Sequence, residues 1–67
     1  MDICLNGAPH RFDGSSLIEL LAAQAIDESR KGVAVAINEE IVPRAEWATA
    51  VLKSGDTVEI VRPHSGG

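Results

Sequence analysis

Hydrophobic and polar residues alternate at the start of the chain: Ile3 and Leu5 fall on one side, Asp2, Cys4 and Asn6 on the other. This period of two predicts a half-buried strand. Asn6-Gly7 is a hairpin signal, so Ala8 to Phe12 is expected to return antiparallel, with Asp13-Gly14 closing the hairpin. The period then changes. Ser16-Leu17-Ile18-Glu19 reads as a capping box, and Leu17, Leu20 and Leu21 fall on one helical stripe that Gln24 or Ala25 continues. The polar run from Asp27 to Gly32 ends that helix. Alternation returns at Val33, Val35 and Ile37, interleaved with Ala34 and Ala36, and the small residues point to a strand covered closely on its second side, expected as the central strand. Glu39-Glu40 is expected to turn the chain into a short strand at Ile41-Val42, ended by Pro43. Arg44 to Ala50 reads as a short helical turn or an irregular link. Lys53-Ser54-Gly55-Asp56 then turns into Thr57 to Arg62, with Val58 and Ile60 facing one way and Thr57, Glu59 and Val61 the other.

The order strand, strand, helix, strand, short strand, strand implies an α+β fold: a mixed sheet of four to five strands with one main helix on one face, as in the ubiquitin-like β-grasp. Residues 1–62 are expected to form this domain and residues 63–67 a flexible C-terminal tail. At 67 residues the chain buries only about 60% of the surface its unfolded form exposes, so nearly every aliphatic side chain is needed in the core.

Charge narrows the choice of partner. Ten acidic residues against six basic ones leave a formal charge of -4, which opposes binding to a phosphate backbone, and one Phe and one Trp with no Tyr supply little for base stacking. Nucleic acid is not an expected partner; a basic protein surface is. With no apolar run near the ~18 residues of a membrane span, no membrane partner is expected. A lone Cys4 and no secretory signal fit a reducing cytoplasm. One cysteine and two separated histidines, His10 and His64, offer no zinc spacing, so no metal or bound cofactor is expected in the chain. Cys4 reads as a small packed or half-packed strand residue, Trp47 as a packing anchor, and His64 as part of the tail with no assigned role.

The chemistry points to the end of the sequence, Val61-Arg62-Pro63-His64-Ser65-Gly66-Gly67. Five residues after Arg62 span about 17 Å when extended at ~3.4 Å each, enough to reach another protein's active site. Gly66 and Gly67 have no Cβ to obstruct a narrow channel, and the α-carboxylate of Gly67 would arrive at its end. Neither G-x-x-x-x-G-K nor G-x-G-x-x-G occurs, so a partner would have to bring ATP and activate that carboxylate. The plain alternative is a solvated terminus. Val61 and Arg62 are the partner-contact candidates, Val61 as part of an apolar patch on the sheet face opposite the helix and Arg62 as a pair for acidic partner groups.

The run Ala36-Ile37-Asn38-Glu39-Glu40-Ile41-Val42-Pro43-Arg44, followed by Trp47, Gly55-Asp56, Val58-Glu59-Ile60 and Gly66-Gly67, resembles the ThiS family of sulfur carriers of thiamine biosynthesis. The resemblance implies a ubiquitin-like β-grasp protein that is a carrier rather than an enzyme. By that resemblance Gly67 is the acyl carrier, adenylated by an E1-like adenylyltransferase, ThiF, that uses ATP. A sulfur donor system then converts the acyl-adenylate to a thiocarboxylate, whose sulfur goes to thiazole synthase, ThiG; Gly66 gives the tail its slim approach. The rivals are a carrier for molybdopterin synthase, a protein-conjugating ubiquitin relative, and a β-grasp binding module with an idle tail.

Overall fold

The computed structural model describes residues 1–63. Strands β1 (Asp2–Leu5) and β2 (Ala8–Arg11) form the expected hairpin, followed by helix α1 (Leu17–Ala23), strands β3 (Ala34–Ile37) and β4 (Glu40–Ile41), a 3₁₀ helix (Arg44–Thr49) and strand β5 (Thr57–Val61). The five strands make one mixed sheet in the order β2-β1-β5-β3-β4. β5 runs parallel to β1 and antiparallel to β3. The expected α+β architecture, with one main helix on one face of the sheet, is the observed one.

Two hairpins turn through left-handed residues. Asn6 and Gly7 have φ of 50° and 82°, and Asn38 and Glu39 have φ of 52° and 69°, the positive pair that a two-residue hairpin of matching twist requires. The second turn therefore sits at Asn38-Glu39 rather than at Glu39-Glu40, and the short strand that follows is Glu40–Ile41. Asparagine tolerates this conformation well. Here its side chain also anchors the turn to the start of β5: Asn38 Oδ1 accepts from Thr57 N at 2.9 Å, and Nδ2 donates to Asp56 Oδ1 at 3.0 Å.

Helix α1 starts where the capping box places it. Ser16 Oγ accepts from Glu19 N at 3.1 Å, while the Glu19 carboxylate accepts from the Ser15 and Ser16 amides at 3.1 and 3.0 Å and from the Ser16 hydroxyl. Those bonds, the Ser15 amide first, hold the Glu19 pKa below the ordinary glutamate range. The helix is shorter than its apolar stripe. Gln24 is the C-cap and Ala25 has φ of 59°; the Ala25 amide donates to Ala22 O and the Ile26 amide to Leu21 O, at 3.0 and 2.9 Å. That pair of bonds is a Schellman ending with alanine in the place glycine usually holds. It turns Ile26 back into the core, where it is 6% exposed.

Leu17, Leu20 and Leu21 of α1 are fully buried in one cluster with Ile3, Val35, Trp47, Leu52, Val58 and Ile60. β5 is the central strand, flanked by β1 and β3, so the expectation that β3 is central is corrected. The cause is geometric: alternation reveals which face of a strand is buried, not its rank in the sheet. Ala34 and Ala36 accordingly face the open side of the sheet, Ala34 exposed and Ala36 half-buried, rather than a second covering layer.

Candidate functional site: the open face of the sheet

β5 buries Val58 and Ile60 under α1 and turns Glu59 and Val61 outward, because successive strand side chains point to opposite faces. The pairing fixes their neighbours. Val61 lies opposite Ala34 and Glu59 opposite Ala36, while Ala36 also lies opposite Ile41 of β4. Residues directly opposite share a face, so Ala34, Ala36, Ile41 and Val61 form one apolar area on the side away from the helix. Val61 is 64% exposed and Ile41 73%. The two alanines form the low floor between them, and Glu39 and Glu59, with Val35, also line the shallow groove. A docking partner would cover an apolar centre and meet negative charge at the margin.

The open face extends across β1, where Cys4 is half-buried and pairs with Thr57 on β5 and Pro9 on β2. At its far edge Arg11 and Asp2 approach at 3.7 Å with both side chains exposed, a pair worth at most about 1 kcal/mol. His10 lies in β2. No group of three metal-ligating side chains occurs among the described residues, and no described helix is long and apolar enough to cross a membrane.

The structure therefore places Val61 where the alternation of β5 puts it, next to Arg62, which is exposed. Gly66 and Gly67, and with them His64, lie outside the described residues. Ile41 was not among the partner-contact candidates. The available signal was a bare isoleucine between Glu40 and the strand-ending Pro43, on a strand too short to be enclosed on both faces.

The residues of the Asn38-to-Asp56 motif hold architecture. Asn38 and Asp56 lock the β3–β4 turn to β5, Gly55 turns the chain at φ of 90°, and Trp47, 3% exposed, donates from Nε1 to Val42 O at 2.9 Å. Arg44 stacks on the Trp47 ring and reaches the loop before β3. These contacts explain the motif's spacing through the fold of a particular family, and the model of the ThiS family matches residues 3–67.

The chain belongs to the ThiS family.

It is 38% identical to the sulfur carrier protein ThiS of Thermus thermophilus over 65 residues, covering 97% of this chain and 98% of that one. It is also 39% identical along its whole length to part of a thiazole synthase from Paramagnetospirillum magneticum, of which it spans 20%. The crystal structure of the thiamine biosynthesis protein ThiS from Geobacter metallireducens superposes with a TM-score of 0.80 at 33% identity, with both chains fully covered. The fold is thus the ubiquitin-like β-grasp of the ThiS sulfur carriers of thiamine biosynthesis.

Proposed function

We propose that the chain carries sulfur on the α-carboxylate of Gly67 and acts as co-substrate of partner enzymes rather than as a catalyst. An oxygen of that carboxylate attacks the α-phosphorus of ATP held by an E1-like, ThiF-type adenylyltransferase, and pyrophosphate leaves. A hydrosulfide-level nucleophile from the sulfur donor system attacks the acyl carbon of the adenylate. The C–O bond to AMP breaks, and the terminus becomes a thiocarboxylate. A thiazole synthase takes that sulfur: the acyl C–S bond breaks once sulfur is bonded to the acceptor, an oxygen from water or the acceptor takes its place on the acyl carbon, and the carrier returns as a carboxylate.

The observation that carries this reading is the family match over residues 3–67, which takes in Gly66-Gly67. The thiazole synthase with a region similar to this whole chain supports thiazole synthase as the recipient. The apolar patch of Ile41, Val61, Ala34 and Ala36 supplies a docking surface beside the root of the C-terminal segment, and Arg62 stands next to it for acidic groups on the partner. Gly66 offers no side chain to obstruct passage into the partner's site.

ATP–pyrophosphate exchange catalysed by the ThiF-type enzyme tests the reading. The intact chain is expected to support exchange, and a chain lacking Gly67 to support none while melting as before. Exchange undiminished by the loss of Gly67 contradicts it.

A further inference from the structure

The Val42-Pro43-Arg44-x-x-Trp47 part of the motif takes no part in the chemistry above. Arg44 does more than stack on Trp47: its guanidinium donates to the backbone carbonyls of Glu28 and Arg30, the latter at 2.6 Å, and stands 3.5 Å from that of Val33. A planar fork of fixed donors suits several carbonyls at once, where a lysine ammonium would not. The segment it holds, between α1 and β3, has little other anchorage; residues 27–32 are all exposed.

That segment includes Gly32, at φ of 85°. A Cβ placed on Gly32 would lie 3.2, 3.4 and 3.5 Å from Cγ, Cδ and Cβ of Pro63. The pyrrolidine ring of Pro63 therefore rests over the bare backbone of Gly32, two residues beyond the end of β5. Proline's own φ is fixed near -65°, so a ring held in place also fixes the direction of the Cα–C bond by which the backbone leaves Pro63.

We propose that Arg44 and Gly32 form a seat for Pro63, and that the three are positioning residues that set where the C-terminal segment leaves the sheet beside the Ile41–Val61 patch. What the seat positions rests on the sulfur-carrier reading above. Holding the root reduces the conformational freedom lost when a partner engages the patch and the terminus together. The benefit falls on the Michaelis constant for the carrier rather than on the turnover of bound carrier.

Pyrophosphate exchange with the ThiF-type enzyme, run on Pro63→Gly, Arg44→Ala and the double variant, tests the seat. Pro63→Gly is expected to raise KM for the carrier about three- to ten-fold with kcat within about two-fold, and to leave the melting midpoint nearly unchanged. Arg44→Ala is expected to raise KM as well, and the double variant to be no worse than the worse single one, because both changes empty the same seat. Where Arg44→Ala melts below the assay temperature, Arg44→Lys takes its place. A wild-type KM in Pro63→Gly, or effects that multiply in the double variant, overturns the proposal. A nuclear Overhauser contact between the Gly32 Hα and Pro63 ring protons is expected in the wild type and lost on changing Arg44; its absence from the wild type overturns the seat whatever the kinetics. A wild-type chain that supports no exchange sinks the sulfur-carrier reading instead, and the Overhauser contact then decides the seat alone.

Discussion

The Arg44 guanidinium stands 4.2 Å from the centroid of the Trp47 ring, one face of an indole whose Nε1 donates to Val42 O. Trp47 is thus both core filler and the platform beneath the clamp on the α1–β3 loop. Trp47→Ala is expected to cost about 3–5 kcal/mol, comparable to the ~5 kcal/mol at the lower end of domain stabilities, leaving a chain of at most marginal stability with a much lowered unfolding midpoint. Trp47→Phe keeps a ring under Arg44 but leaves the Val42 carbonyl without this donor, at a cost of about 1–2 kcal/mol. Urea unfolding measures both; a near wild-type midpoint for Trp47→Ala contradicts the assignment.

Ala25 ends α1 in a left-handed conformation that costs an L-residue about 1–2 kcal/mol. Ala25→Gly removes that strain and keeps both Schellman bonds, at some cost in unfolded-chain entropy. A net gain of about 0.5–1 kcal/mol is expected, raising the melting temperature by a few degrees for a domain of this size. A lowered midpoint in calorimetry contradicts the helix ending described for Leu21 to Ile26.

Acid should weaken the fold in a defined direction. Glu19 is held below its ordinary pKa by the Ser15 and Ser16 amides and the Ser16 hydroxyl, and Asp27 by the Ser29 amide and hydroxyl. A folded pKa below the unfolded one means that the stabilisation is complete above the unfolded values, about 4.3 for glutamate and 3.9 for aspartate. It is lost as pH falls through the folded values. Glu19→Gln is therefore expected to be less stable than the wild type at pH 7, with the difference narrowing below about pH 4. Melting temperatures measured from neutral pH into acid check this; a gap that widens in acid contradicts it.

Val61 and Ile41 stand exposed on the face away from α1, so a charge there leaves the core untouched. Val61→Asp and Ile41→Asp are each expected to change stability by no more than about 0.5 kcal/mol while weakening binding to thiazole synthase about ten-fold or more. Isothermal titration against thiazole synthase, with a melt of each variant, separates the two effects. Unchanged affinity in both variants removes the patch from the docking surface.

The elements set by local chemistry were legible in the chain. Asn6-Gly7 marked its hairpin because both residues accept positive φ, and Ser16 with Glu19 marked the helix start because each satisfies the other's backbone amide. Alternation in β5 placed Val61 on the open face. Features set by tertiary packing were not legible in the same way. Alanine is a strong helix former, and the burial of Ile26 together with the two Schellman bonds offsets ending α1 before Ala25. The alanines of β3 read as a covered face because smallness alone does not distinguish close packing from the floor of a groove. Arg44 stood in the motif without a task, since its carbonyl partners lie 14 and 16 residues away in a segment with no pattern of its own.

The sulfur-carrier account depends most directly on the chemical state of Gly67. Intact-mass spectrometry of the chain after incubation with the ThiF-type enzyme, ATP and a sulfur donor reads that state. The expected result is a species in which one carboxylate oxygen is replaced by sulfur, dependent on ATP and absent when Gly67 is removed. A mass that stays unchanged under conditions in which the same enzyme activates its own carrier contradicts the account.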